Sequence, residues 1–182
     1  MRVSKAQVEA NRETILENAG RLFREKGFDG VGVAELMKAS GLTNGAFYGH
    51  FASKDELIEK ACERVMGGGH DPWAGLEAGE TSLGDFVAGY LSEPHRKHPG
   101  QGCLFAALGP EVARQGRPVR RAFTESLKGR IAALGRAMRG RKREDALVAV
   151  SALVGALVLA RAVDDPELAQ ELMSATAKVV GG

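Results

Sequence analysis

The stretch Val33-Ala-Glu-Leu-Met-Lys-Ala-Ser-Gly-Leu-Thr-Asn-Gly-Ala-Phe-Tyr-Gly-His-Phe51 decides how the chain folds. It reads as two short helices joined by a tight turn. Val33, Leu36 and Met37 recur at i, i+3 and i+4, which gives the first helix one apolar face. Gly41 supplies the left-handed backbone that ends a helix, and Leu42 is expected to be buried beside the turn. Thr43 stands where a hydroxyl can cap the next helix by accepting an amide two or three residues on. That helix is expected over Asn44 to Phe51, about two turns. Phe47 and Phe51, four apart, mark its core face, which leaves Asn44, Gly45, Ala46, Tyr48 and His50 facing out. This is helix-turn-helix grammar. Two core helices with no partner give the same periodicity, so the outer face has to decide. It carries small residues that permit close approach, an amide able to read a base edge, and a Tyr and a His suited to phosphate oxygens.

Gly27-Phe28 precede the stretch and Ala52-Ser-Lys-Asp-Glu-Leu57 follow it. Gly27-Phe28, Val33 to Leu36 and Ser40 to Leu57 together resemble the N-terminal domain of TetR-family transcriptional repressors. The run Phe-Tyr-x-His-Phe-x-x-Lys-x-x-Leu from Phe47 to Leu57 is the most specific part. The resemblance covers roughly residues 10–60, a third of the chain; the rest matches the family in length and helical character only. It implies an all-α protein with an N-terminal three-helix HTH DNA-binding domain, residues 1–65, and a C-terminal helical domain, residues 74–182, for effector binding and dimerisation. It also implies a homodimer on a palindromic double-stranded DNA operator. Thr43, Asn44, Gly45, Ala46, Tyr48, His50 and Lys54 would then line the DNA, with Lys54 on a phosphate. The family usually places Ser or Thr just before the first helix of the motif. Val31 and Gly32 stand there in this chain, so a phosphate contact from that spot has to come from a backbone amide.

The 182 residues are 44% hydrophobic, 26% charged and 5% aromatic, a soluble globular composition. No N-terminal apolar segment suggests a signal peptide. The longest apolar run, Ala146 to Ala160, reads as too short for a membrane span. Two cysteines make no disulfide framework, and a cytoplasmic, reducing setting follows. Net charge is +2. Residues 1–65 hold ten basic and ten acidic side chains, whereas residues 116–143 hold ten and one. Net charge therefore does not argue for DNA binding by the first domain; the motif and a few local cations do.

Helix 1 is expected over Lys5 to Lys26, with Ile15, Ala19, Leu22 and Phe23 on one face and Gly27 as its stop. Arg2 and Lys5 form an arm able to reach DNA, and Arg12 can touch its backbone. Ser53 and Glu56 form a capping box for a helix from Lys54 to Met66 that buries Leu57, Ile58, Ala61 and Val65. Lys54 in its first turn opposes the helix dipole, which points to a purpose other than stability. Met66-Gly-Gly-Gly-His-Asp-Pro-Trp73 breaks the pattern and marks a domain boundary. Further helices are expected over 82–97, 102–114, 118–139, 143–163 and 166–180. Pro94 should kink or shorten the first of these, and Pro110 and Pro118 should bracket a short helix and a turn.

His95 and His98 have a spacing that metal ligands use, but the flanking cations and prolines favour a solvated helix end. The basic block from Arg117 to Arg143 decorates a helix face that is either solvated or turned to an anion. Residues 146–163 are apolar nearly all round, which suits a subunit interface; Ala152, Gly155, Ala156, Leu159, Ala160, Leu168 and Leu172 are the candidates. Trp73, Phe86, Tyr90, Cys103, Phe105, Leu108 and Phe123 are candidates for an effector pocket, and their chemistry suits a small apolar ligand. No catalytic or metal-binding constellation is legible, and no cofactor is expected. Cys103 reads as opening a helix, which lowers a thiol pKa and makes redox or electrophile sensing an alternative; its apolar neighbours favour plain packing. Cys62 reads as packing. A non-specific structural DNA-associated protein is the alternative of another class.

Overall fold

The computed structural model describes residues 4–66 and 73–182. All regular structure among them is helical. The order is α1 (Lys5–Lys26), α2 (Val33–Ala39), a 3-10 helix η1 (Asn44–Gly49), α3 (Lys54–Met66), α4 (Ala74–Ala78), α5 (Leu83–Tyr90) and α6 (Glu93–Lys97). A second 3-10 turn η2 (Pro99–Gln101), α7 (Leu104–Val112), α8 (Arg117–Ala137), α9 (Arg143–Ala162) and α10 (Pro166–Gly181) complete it. Residue Arg2 of the expected arm and the run Gly67–Pro72 lie outside the described residues.

Each long helix begins and ends for a local reason. Ser4 caps α1 by accepting the Gln7 amide. The α2 C-terminus is a Schellman turn: Leu42 N–H reaches Met37 O (2.9 Å), Gly41 N–H reaches Lys38 O (3.1 Å), and Gly41 has φ +70°. Ser53 Oγ accepts the Glu56 amide, and the Glu56 carboxylate reaches back to Ala52 N–H, starting α3. Asp165 caps α10. The expected helix 82–97 is two helices. Pro94 does shorten it, because α6 restarts behind Ser92, whose hydroxyl accepts the His95 amide, with the proline in its first turn. Pro110, expected at a boundary, lies inside α7. In the last turn a proline removes only one bond, to Ala106 O, and the helix absorbs it. Pro118 sits in the first turn of α8, where its missing N–H has no helical acceptor anyway.

Two apolar cores result. The first gathers Ile15, Ala19, Phe23, Phe28, Val31, Leu36, Met37, Phe47, Phe51, Leu57 and Ile58. It also takes in Leu104, Leu108, Val112 and Val119 from α7 and α8, so α7 is packed into the base of the helix-turn-helix module. The second core surrounds α9, whose Leu153, Leu157 and Ala160 are fully buried. Each such leucine contributes about 1.5–3 kcal/mol by leaving water. By length and composition alone α9, 20 residues with mean hydropathy 1.9 over its most apolar 18, is long and apolar enough to cross a membrane. The run read from sequence as too short lies within this longer helix, one face of which packs against α7, α8 and α10.

Candidate nucleic-acid interface

The module that carries the motif is built so that η1 projects one face outward. Phe47 and Phe51 are 1% and 2% exposed and stack on each other at 5.9 Å. On the other side Thr43, Asn44, Gly45 and Gly49 are exposed, and Tyr48 is 75% exposed, its ring set edge-on to Phe47. His50 and Lys54 are half-buried; Ala46 is half-buried too, because it leans on the core. A Cβ at Gly45 or Gly49 would meet nothing within 4 Å, so these glycines keep the outer surface low. Of the seven sequence-predicted residues, Thr43, Asn44, Gly45 and Tyr48 are thus exposed and Ala46, His50 and Lys54 half-buried.

Four local expectations differ. The second helix is a 3-10 turn of six residues rather than an α-helix to Phe51; two glycines in so short a segment leave little α-helical propensity. Thr43 occupies the cap position, but its hydroxyl makes no cap bond. The amide it would serve, Ala46 N–H, is taken by the Thr43 carbonyl at 3.0 Å. Leu42 is half-buried rather than buried. Gly32 caps α2 without a side-chain bond, while Val31 is fully buried in the core. Arg12, read as free to touch DNA, donates from Nη1 to the His50 carbonyl at 2.7 Å and lies 4.4 Å over the Phe51 ring. No sequence pattern signals that contact, which spans 38 positions.

The family model described as bacterial regulatory proteins, tetR family, matches residues 15–61. The HTH-type transcriptional repressor NemR of Escherichia coli K12 is 30% identical over 132 residues, which is 70% of this chain and 66% of that protein. The solved structure of E. coli NemR in its reduced form superposes with a TM-score of 0.74 at 25% identity, covering 94% of this chain and 95% of that one. The chain belongs to the TetR family of bacterial regulatory proteins. A TetR-family regulator of Cytophaga hutchinsonii shares the fold, with a TM-score of 0.73 at 17% identity over 100% of this chain and 98% of that one. The sequence alignment with NemR takes in slightly less than two thirds of that repressor's length.

In this TetR-family chain the residues suggested for an effector pocket lie in separate clusters among the described residues. Trp73, Phe86 and Tyr90 stack on one another with ring centres 4.7–5.6 Å apart. Phe105 and Phe123 form a separate edge-on pair at 4.7 Å, and Leu108 belongs to the first core. A water-sized hollow of about 10 Å³ touches Cys103, Phe105, Ser126 and Arg130. A larger cleft, about 330 Å³, opens between α1, the end of α3 and η2, and is lined by Arg21, Arg24, Arg64 and Asn18 among others. None of the residues suggested for an effector pocket lines it.

Cys103 is the N-cap residue of α7 and is 1% exposed. Its N–H donates to His95 Nε2 at 2.9 Å, so the ring proton sits on Nδ1, which faces the Tyr90 carbonyl at 2.6 Å. Burial holds the His95 pKa below its ordinary value, the Tyr90 carbonyl opposes that, and Arg161 adds to it. Arg161 donates to the carbonyls of His95 (2.6 Å) and Arg96 (3.1 Å) and interacts electrostatically with Cys103. Both His95 nitrogens are thus engaged inside the protein, and no cluster of three or more metal-ligating side chains occurs among the described residues. Burial pushes the Cys62 thiol up to about 12, in keeping with packing.

Of the interface candidates, Leu159 (52%) and Leu168 (41%) are exposed, and Ala152, Gly155 and Leu172 are half-buried. Ala156 and Ala160 turn into their own core. Val148 (68%) and Val179 (76%) extend the same faces. Val148, Ala152, Gly155 and Leu159 form a stripe on α9, and Leu168, Leu172, Ala175 and Val179 one on α10; both have helical-face spacing.

Proposed function

We propose that this TetR-family protein is a cytoplasmic homodimeric repressor that binds a palindromic operator and is released by a small effector. The outward face of η1 carries the reading: an exposed amide, two open glycines and an exposed tyrosine, held by a buried Phe47–Phe51 pair and followed by Lys54. Asn44 reads a base edge, Tyr48, His50 and Lys54 take phosphate oxygens, and Gly45 with Ala46 permits close approach. The α9 and α10 stripes pair with their two-fold mates, which sets two η1 segments about 34–36 Å apart for successive major grooves.

Release follows from how the two parts are joined. Glu111 of α7 accepts the Phe28 amide at 2.6 Å, and Arg24 of α1 donates to the Gly100 carbonyl. An effector that pries open the hollow beside Cys103 and Phe105 would displace α7 and, through these ties and α3, turn the DNA-binding module. It acts only if it binds the released arrangement more tightly. Competition binding on the protein's own promoter against random duplex tests this; a regulator keeps its specific complex, and a non-specific DNA-associated protein loses it in proportion to competitor.

A second reading of the trigger rests on Cys103, which stands at the start of α7 beside the small hollow. Its thiol can attack the O–O bond of a peroxide, keeping one oxygen as sulfenic acid while the other leaves as water with the thiol's proton. Peroxide-induced release that persists in Cys103→Ser would contradict it.

A further inference from the structure

We propose that Arg12 is a positioning residue for DNA recognition, fixing the angle at which η1 is presented rather than touching DNA itself. The proposal rests on the operator-binding reading and adds to it. η1 has little to hold it in shape. It is six residues of 3-10 helix with glycine at two positions and no side-chain bond at its N-cap. Its inner face is fixed by Phe47 and Phe51, with Ala46 leaning on the same core, and none of these side chains holds its C-terminal carbonyl. The last carbonyl of such a turn has no helical donor to satisfy it.

Arg12 supplies what is missing, at two adjacent points. Its Nη1 donates to the His50 carbonyl at 2.7 Å, and its guanidinium carbon lies 4.4 Å over the Phe51 ring. A planar guanidinium can do both at once, because its edge carries the donors and its face stacks on an aromatic ring. A cation at the C-terminal end of a helical turn also complements the turn's dipole. Arg12 is half-buried, and the nearby carboxylate of Glu13 is occupied by Arg64 at 2.8 Å. α1, anchored in the core by Ile15, Leu16 and Ala19, therefore grips the far end of η1 directly.

The test uses full-length protein and Arg12→Ala, Arg12→Lys and Arg12→Gln. Hydrogen exchange in the peptide covering residues 43–53 is read without DNA. Arg12→Ala should exchange at least about tenfold faster there, with α9 and α10 unchanged, and Arg12→Gln, which keeps a donor for the carbonyl, should restore part of the protection. Unchanged exchange at 43–53 would overturn the proposal whatever happens with DNA. On an operator, Arg12→Ala should lower the ratio of specific to random affinity about tenfold or more while the salt slope stays the same. A slope reduced by about one unit with the ratio intact, restored by Arg12→Lys, would make Arg12 a phosphate contact and overturn the positioning role. Wild-type protein with no preference for any sequence would sink the operator reading itself, and the exchange measurement still decides the clamp.

Discussion

Asn44 and Lys54 sit on the same edge of the molecule but are assigned different work, and the difference is measurable. Lys54→Ala should weaken binding alike on all duplexes and lower the salt slope by about one unit, whereas Asn44→Ala should cost about 1–3 kcal/mol on the best sequence and relax the preference there. An unchanged slope for Lys54→Ala would count against its phosphate role. His95 makes a prediction about stability. Half-buried and neutral between Cys103 N–H and the Tyr90 carbonyl, it has a folded-state pKa below the ordinary 6.5. Unfolded chains therefore take up its proton first as pH falls. Its contribution is complete above the ordinary value and drains away as pH drops from there toward the lowered one. Urea midpoints should fall over that window in the wild type and fall less in His95→Gln; equal slopes would contradict the assignment. At this scale the sequence was legible where a side chain's role depends on its neighbours in the chain. Gly41's left-handed turn and the Ser53–Glu56 cap are of that kind. Arg12 on His50, Cys103 on His95 and Arg161 on both carbonyls of α6 depend on residues brought together by folding, and no spacing announces them.

Helices α1, α3, α8, α9 and α10 stand close to where their apolar periodicity and their glycine or proline ends placed them. The region between residues 74 and 112 was harder to read. Its helices are short, five to nine residues, and segments of that length are set by tertiary packing rather than by propensity. α4 and η2 were not foreseen for that reason. The α9 and α10 stripes show the same limit from the other side. Composition marked α9 as buried all round, but only the packed chain separates Leu153 and Leu157, turned inward, from Val148 and Leu159, turned out. Five of the seven large apolar side chains exposed among the described residues lie on these two helices. Leu159→Glu combined with Val179→Glu should therefore leave each subunit folded, since both positions face solvent within it, and should give a monomer in sedimentation. A dimer that survives both charges would move the interface elsewhere.

Across the whole molecule the two cores are not independent. Leu104, Leu108, Val112 and Val119 belong to the core of the helix-turn-helix module, and Glu111 ties α7 to the α1–α2 turn. A change beside Cys103 at the start of α7 thus has a short route to η1. The ten-to-one basic block divides along α8: Arg130 is buried against Glu77, while Arg117, Arg120 and Arg121 are exposed near its start. The block as such is not the proposed DNA-binding surface; that proposal rests on the outward face of η1. Selection of bound sequences from a random duplex library by the purified full-length protein tests that claim most directly. The account predicts one enriched motif of two inverted half-sites, centred one helical turn or a multiple of it apart, with two chains bound per site. A library that emerges without any enriched sequence, though the protein binds DNA, would contradict it.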